Sequence, residues 1–570
     1  MLRSLFDAGY GDDGFRTCGV TGLRIHRTVE NLVKVFGLTA VVALIIGGIA
    51  AIAVALTRWE LVGLLGPEAF YRYLSLHAWN LLVFWMVFME IAILYVGGAM
   101  VLGRKLALPS LAKGGWVLMF GAAVTVNVAI WITDPPMTQQ PLLTSYVPLR
   151  SHPLFYAGAA LFLLGATVAA LPFFATIWKE KREKPGKALP LITFGAFATS
   201  IIAFEALVGG LATYVPTFLW SVGLMESIDG EWYRQMYWTI GHGSQQINLA
   251  AMVTVWYFMT YLVGGAEVVS EKVSRTAFIL YVFFINLGAA HHILADPGVT
   301  AEWRLWNTSY AMYGAVAASM IHAFAIPAGL EAGLRKKGIG GDSWFGWLKE
   351  APWSDPGFSS TVFSIFLFGF LGGISGVLVG QMQLNIMRHN TLAIPGHFHA
   401  TVAVGTTLAF MGLLYWVLRL NFLKEWVGEK LARIQPYLYA GAMSLAIMAM
   451  MIVGILYSVP RRHPSVMQFP GTDFNMAEAG PMLAVFGVTA LVAIVAGAIF
   501  VFVALASLLF GERAEPSLPF PLESREDGGG ETHLGSLRGS FALCILFLIS
   551  FGVLYFLDWA WLGAIWQFGT

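Results

Sequence analysis

The sequence predicts an all-α integral membrane protein, a bundle of about 13 transmembrane helices, and three observations predict it. Of 570 residues, 57% are hydrophobic and only 12% charged, whereas soluble domains carry about 25% charged residues. The mean hydropathy is +0.70. The apolar residues fall into runs of about 20, the length that crosses a hydrocarbon core. Lys and Arg, finally, sort between alternate connections.

In chain order the apolar runs begin near residues 34, 74, 115, 154, 189, 235, 275, 308, 360, 395, 435, 481 and 541. No period of 20 to 50 residues recurs, so the runs form one bundle and not a repeat array. Residues 1–33 read as a polar cytoplasmic segment, too long and too polar for the start of a cleavable signal. Residues 34–510 read as a twelve-helix core. Residues 511–540, with "PFPLESREDGGGETHLGS", read as a cytoplasmic loop, and 541–570 as a thirteenth helix. Of the 34 Lys and Arg, 26 lie at the N-terminus and in connections after even-numbered runs; the other 8 are Arg58, Arg72, Arg150, Arg234, Arg304, Arg388, Arg461 and Arg462. The positive-inside rule then predicts a cell-membrane protein with its N-terminus in the cytoplasm and its C-terminus outside. Kinked stretches such as "TDPPM" fall in outer loops. A net charge of +1 gives no basic footprint for nucleic acid, and Cys18 and Cys544, far apart, form no disulfide framework or CxxC site.

Six of the twelve histidines fall at one depth. His77 and His242 open runs that begin outside, His291 and His292 close one that ends outside, and His397 and His399 open another from outside. Intramembrane ionisable groups mark function. Six together are unlike lone His322, in the middle of the eighth run, which reads as a hydrogen-bonded core residue. His26, His152, His463 and His533 fall in loops. On a helix, residues two apart point roughly 200° from each other, so His397 and His399 can serve two different centres. His291 and His292 sit at a helix end where both rings can turn inward and join His242 in a three-imidazole site. Imidazole suits copper, iron or zinc. A redox-inert zinc site leaves the pair His77 and His399 unexplained, whereas bis-imidazole ligation of a haem explains it.

The stretches "GH" at 241–242, "HHILADPGVTAEW", "GLEAGL", "FGWLKEAPWSDP", "HNTLAIPGHFHATVAVGTT" and "VPRRHP" follow, in order, the pattern of the catalytic subunit of the haem–copper oxygen and nitric oxide reductase superfamily. The chain resembles the B-type oxygen reductases over essentially its whole length. That resemblance implies the subunit I fold, two haems (of b or a type, or both) and one non-haem metal. It implies that His77 and His399 are axial ligands of a low-spin haem and His397 the proximal ligand of a high-spin haem. His242, His291 and His292 would hold the non-haem metal. Arg461, Arg462 and His389 match residues that meet haem propionates, which suits guanidinium groups.

One motif departs from the pattern. B-type oxygen reductases carry a tyrosine four residues after the first metal-binding histidine, one helical turn away on the same face. Here "GHGSQQ" places Gln246 there. The C-type position for that tyrosine is Asn286, and Tyr281 lies ten residues, about 15 Å of helix, before His291. The amide resembles instead an alternative nitric oxide reductase branch (eNOR) with glutamine in place of the glutamate of cytochrome c-type enzymes. The reading is thus a nitric oxide reductase with His242 and Gln246 at its centre, and an oxygen reductase as the alternative. Three imidazoles without a carboxylate favour copper over iron.

With metal sites near the outer face and no cupredoxin domain or haem c motif here, the expected electron donor is a second subunit bearing copper or haem c. Cytochrome c or a cupredoxin would feed that subunit in turn. Protons are expected to pass Tyr257, Ser319 and Tyr313, with Glu331 as a further contributor. The expected surroundings are membrane lipid.

Overall fold

A computed structural model describes residues 5, 6, 8–132, 148, 149, 151–464, 476–520 and 537–565. "TDPPM", Arg150, His533 and much of the 511–540 loop lie outside the described residues.

Twelve helices are long and apolar enough to cross a membrane: α1 (Arg27–Arg58), α2 (Pro67–Met100), α3 (Pro109–Ile132), α4 (Pro153–Glu183), α5 (Leu191–Ser221), α6 (Gly230–Gly264), α8 (Ala301–Lys336), α9 (Pro356–Val379), α10 (Ala393–Leu420), α11 (Glu429–Leu456), α12 (Gly480–Phe510) and α13 (Arg538–Ala564). The expected seventh span is shorter. Its α-helix, α7, covers Glu271–Phe284 and continues as tight three-residue turns over Leu287–Ile293. Thirteen segments are therefore present in the expected order, twelve of them full spans.

Most helices begin several residues before their apolar run, because polar first turns are helical once capped. Asp229 caps α6 by accepting from Trp232 N at 2.6 Å, and Asp355 caps α9 by accepting from Phe358 N at 2.9 Å. Gly265, with φ +64°, ends α6 in the left-handed conformation that glycine tolerates. Ahead of α1, a two-stranded hairpin pairs β1 (Phe15–Thr17) with β2 (Arg24–His26) inside the segment expected to be only polar.

Several helices change pitch. Trp79–Trp85 and Val96–Met100 in α2, Asn307–Ala311 in α8, Phe368–Gly373 in α9 and His399–Thr406 in α10 are π-helical. Such wide turns occur frequently at functional sites. Here two of them follow histidines: His77 comes two residues before the first, and His399 opens the last.

A candidate haem and metal centre

The three histidines from α6 and the seventh segment converge. His242 lies 4.5 Å from His291 and 4.7 Å from His292, ring centre to ring centre, and the latter two are 4.2 Å apart. One ligand nitrogen from each lies within 4.8 Å of the others. The backbone explains why adjacent residues both point inward. Asn385 Nδ2 donates to His291 O at 3.1 Å and Asn307 Nδ2 to Leu287 O at 2.7 Å, so α8 and the segment before α10 hold the tight turns in place. Trp238, one helical turn before His242, stacks on His292 at 3.8 Å with planes 4° apart. His292 Nε2 is buried without a partner among the described residues. A buried unpaired nitrogen in a cluster of imidazoles suits a metal ligand.

Gln246 sits on this cluster. Its side-chain nitrogen lies 2.9 Å from His242 Nδ1, and both side chains are buried. Among the described residues, the hydrogen-bond and ring partners of the His242 side chain are Gln246, His291 and His292, with no tyrosine hydroxyl. An amide presents both a donor and an acceptor, so it can satisfy either tautomer of the ring. Asn286 faces the same turn: a Cβ on Gly243 would meet its Oδ1 at 3.5 Å, and its Nδ2 donates to Glu205 at 2.5 Å.

The expected haem ligands separate as the two-residue spacing predicts. His399 faces His77 of α2, with ring centres 6.1 Å apart and planes within 13°. His399 Nδ1 meets Pro395 O at 2.7 Å, and His77 Nδ1 meets Gly47 O at 3.2 Å. Each ring is thereby oriented by its own second hydrogen bond, the usual arrangement of a metal-binding histidine. Two metal–nitrogen bonds of about 2 Å with the two ring radii fill most of the 6.1 Å gap, so these residues fit one iron between them. His397 turns the other way, to Ser375 Oγ at 2.9 Å. A Cβ at Gly376 would meet its ring at 3.0 Å, so glycine keeps α9 close to this imidazole.

At one end of the bundle, His389, Arg461, Arg462 and the Arg234–Asp296 ion pair form one charged group. Burial holds the His389 imidazole below its usual range; Arg461 pushes the same way and Asp296 opposes. The arginine loop is pinned, with Arg461 N donating to Asn390 O at 2.8 Å and Arg58 to Pro460 O at 2.8 Å. Its cationic surface suits carboxylates such as propionates.

The expected proton-path residues divide. Tyr257 donates to Ser274 Oγ at 2.9 Å and lies 3.1 Å from His322 Nδ1. Tyr281 and Ser319 are bonded at 3.0 Å, and the Tyr281 ring lies 5.3 Å from that of His322. Tyr313 does not join this group: it is exposed, and its hydroxyl accepts from Gln381 at 3.5 Å. Glu331 is a helix-end residue that binds Arg335 and the amides of Gly539 and Ser540. His322, expected as a hydrogen-bonded core residue, is one, and its contact with Tyr257 also sets it beside the expected proton path. Its position in mid-membrane was the available signal.

Such a bundle, with two facing imidazoles, a third turned away and a three-histidine cluster, defines a membrane-bound haem–copper oxidoreductase. Residues 31–480 match the family model "Cytochrome C and Quinol oxidase polypeptide I", and the chain belongs to that family. It is 32% identical over 468 residues to cytochrome c oxidase subunit 1 of Thermus thermophilus, covering 80% of this chain and 79% of that one. It is 23% identical over 414 residues to the Synechocystis subunit, covering 68% and 69%. The solved structure of a heme-copper terminal oxidase dimer shares the fold, with a TM-score of 0.79 and 24% identity over 92% of both chains. The family implies two haems and a copper centre, and a catalytic subunit that works with others.

Proposed function

We propose that the chain is the catalytic subunit of a nitric oxide reductase, 2 NO + 2 e⁻ + 2 H⁺ → N₂O + H₂O, akin to the branch with an active-site glutamine (eNOR). The observation that carries this reading is the Gln246 amide on His242 at 2.9 Å. Splitting dioxygen in one step draws four electrons and a proton at the site. A phenol beside the metal can supply one of each; an amide can supply neither. Joining two NO molecules takes two electrons, which a haem iron and a second metal hold between them when bound.

The second reading, reduction of dioxygen to water, is favoured by the relatives, which are named cytochrome c oxidase subunit 1 and reach 32% identity. Kinship favours this reading and the local chemistry of Gln246 favours the first. Two assays on one sample separate them: N₂O formation from NO under anaerobic conditions, and O₂ uptake. N₂O with slow O₂ uptake supports the first reading. Rapid O₂ uptake with little N₂O replaces it with the second.

In either reading His77 and His399 hold a low-spin haem, His397 a high-spin haem, and His242, His291 and His292 the non-haem metal, with copper favoured. Gln246 orients His242 and offers a hydrogen bond to a bound diatomic. Trp238 fixes His292. Arg461, Arg462 and His389 hold propionates. Protons pass Ser274, Tyr257 and His322, with Tyr281 and Ser319 beside them. The N-terminus is cytoplasmic, and electrons enter at the outer face from a second subunit with copper or haem c. Rapid reduction of the isolated chain by cytochrome c alone would sink that donor assignment.

A further inference from the structure

Beside the metal-binding cluster, on the face of α6 away from Tyr257, α2, α4, α5 and α6 enclose a cavity of about 70 Å³. Its α6 wall is Tyr237, Ile240, Gly241, Ser244 and Ile247, across the turn that carries His242. Most of the remaining lining is apolar. Its carboxyl group is Glu90 of α2, and hydroxyls come from Thr199, Tyr214, Tyr237 and Ser244.

Glu90 is 4% exposed, and its Oε1 has no hydrogen-bond partner among the described residues. The indole N–H of Trp79, which lines the same cavity, is also buried without a partner. Buried polar groups in proteins are almost always satisfied, by protein or by water. Two unsatisfied groups on one cavity wall therefore point to water inside it. Space is sufficient, since about 10–15 Å³ of such volume holds one water. The hydroxyls of Thr199 and Ser244 belong to the same polar lining. Each donates within its own helix, to Gly195 O at 2.8 Å and Gly241 O at 3.2 Å, which leaves lone pairs for incoming donors. The α-helical turns that carry Glu90, Met86–Tyr95, are bracketed by the π-helical stretches Trp79–Trp85 and Val96–Met100. An unpaired carboxylate in apolar surroundings costs many kcal/mol, whereas the neutral acid costs far less.

We propose that Glu90 is an internal proton-holding acid of this enzyme, which exchanges its carboxyl proton with cavity water and passes it toward Ser244 and the His242 turn. In the step the carboxyl O–H bond breaks and an O–H bond to a cavity water forms. No electron moves in it, and a solvent proton restores the acid in the next cycle. The proposal rests on the reading above only in that the reaction consumes protons, which holds for NO and for O₂ alike. It adds a route separate from Tyr257 and His322, which lie against α7 and α8.

The test is infrared difference spectroscopy, reduced minus oxidised, on the purified holoenzyme in water and in D₂O, with turnover of NO and O₂ beside it. The wild type is expected to show a deuterium-sensitive carboxylic acid C=O band that Glu90→Gln removes and Glu90→Asp moves. With haem spectra unchanged, Glu90→Gln is expected to slow turnover about 100-fold, and Glu90→Asp to keep most of it. A wild-type band and rate in Glu90→Gln would overturn the proposal. Should Glu90→Gln fail to assemble its haems, an unmoved band in Glu90→Asp would overturn it equally. A wild type that reduces neither NO nor O₂ defeats the functional reading, while the band still decides the role of Glu90.

Discussion

At the scale of single residues, the side chains around the metal cluster have separable duties. His291 offers one of three imidazoles, so His291→Ala is expected to lose the non-haem metal in elemental analysis while both haem spectra persist. His399→Leu is expected to do the reverse, removing the low-spin haem band and leaving the non-haem metal in place. Gln246→Ala removes the only side chain hydrogen-bonded to His242 among the described residues. Turnover is expected to fall about 100-fold, in line with the loss of one preorganised donor, with metal content unchanged. His389 gives a pH dependence. Its imidazole is held below the usual range by burial, so the fold carries fewer protons there than the unfolded chain. The stability this contributes is present above about pH 6.5 and is lost as pH falls toward the folded-state value. The apparent Tm should therefore drop on acidification, and His389→Gln should make that drop shallower.

At the scale of elements, the site depends on helices that approach without side chains between them. A Cβ at Gly454 of α11 would lie 2.0 Å from the backbone nitrogen of Ala393, the first residue of the helix that carries His397 and His399. Gly454→Val must push the two helices apart. Overpacking of this kind costs about 1–3 kcal/mol, and the variant is expected to show a lower Tm together with reduced occupancy of the high-spin haem. The seventh segment shows the opposite device. It abandons the α-helix after Phe284 for tighter turns over Leu287–Ile293, and the rings of the adjacent His291 and His292 lie 4.2 Å apart there.

For the whole molecule, α13 is the least covered span, 6% buried over its most apolar window. Among the described residues, a carboxylate–amide anchor, an ion pair and a small apolar cluster hold it. Glu331, fully buried in α8, accepts from Ser540 N at 2.6 Å and Gly539 N at 3.1 Å while paired with Arg335 at 2.7 Å. Arg388, beside the histidine segment, pairs with Asp558 of α13. Leu562 packs on Ile374, Leu378 and Leu384. Breaking a buried charge pair costs about 3–5 kcal/mol. Glu331→Ala is accordingly expected to lower the Tm and speed proteolytic release of the C-terminal helix, with haem spectra largely kept.

The order and approximate number of the spans were legible in the sequence, the shortened seventh aside, because a bilayer demands runs of apolar residues and leaves few other solutions. The six aligned histidines and the glutamine one turn after His242 were legible too, since helical spacing fixes which residues share a face. Tertiary structure alone decided the rest. It set Tyr313 outward and brought His322 to Tyr257, because which residues of neighbouring helices meet depends on packing that leaves no mark in composition. It gave Glu331 to the anchoring of α13 across more than 200 residues of chain. It also placed Glu90 unpaired on a cavity wall, a fact that depends on what four helices leave empty between them. Local pattern specifies what each helix can present, and only packing determines what that face meets.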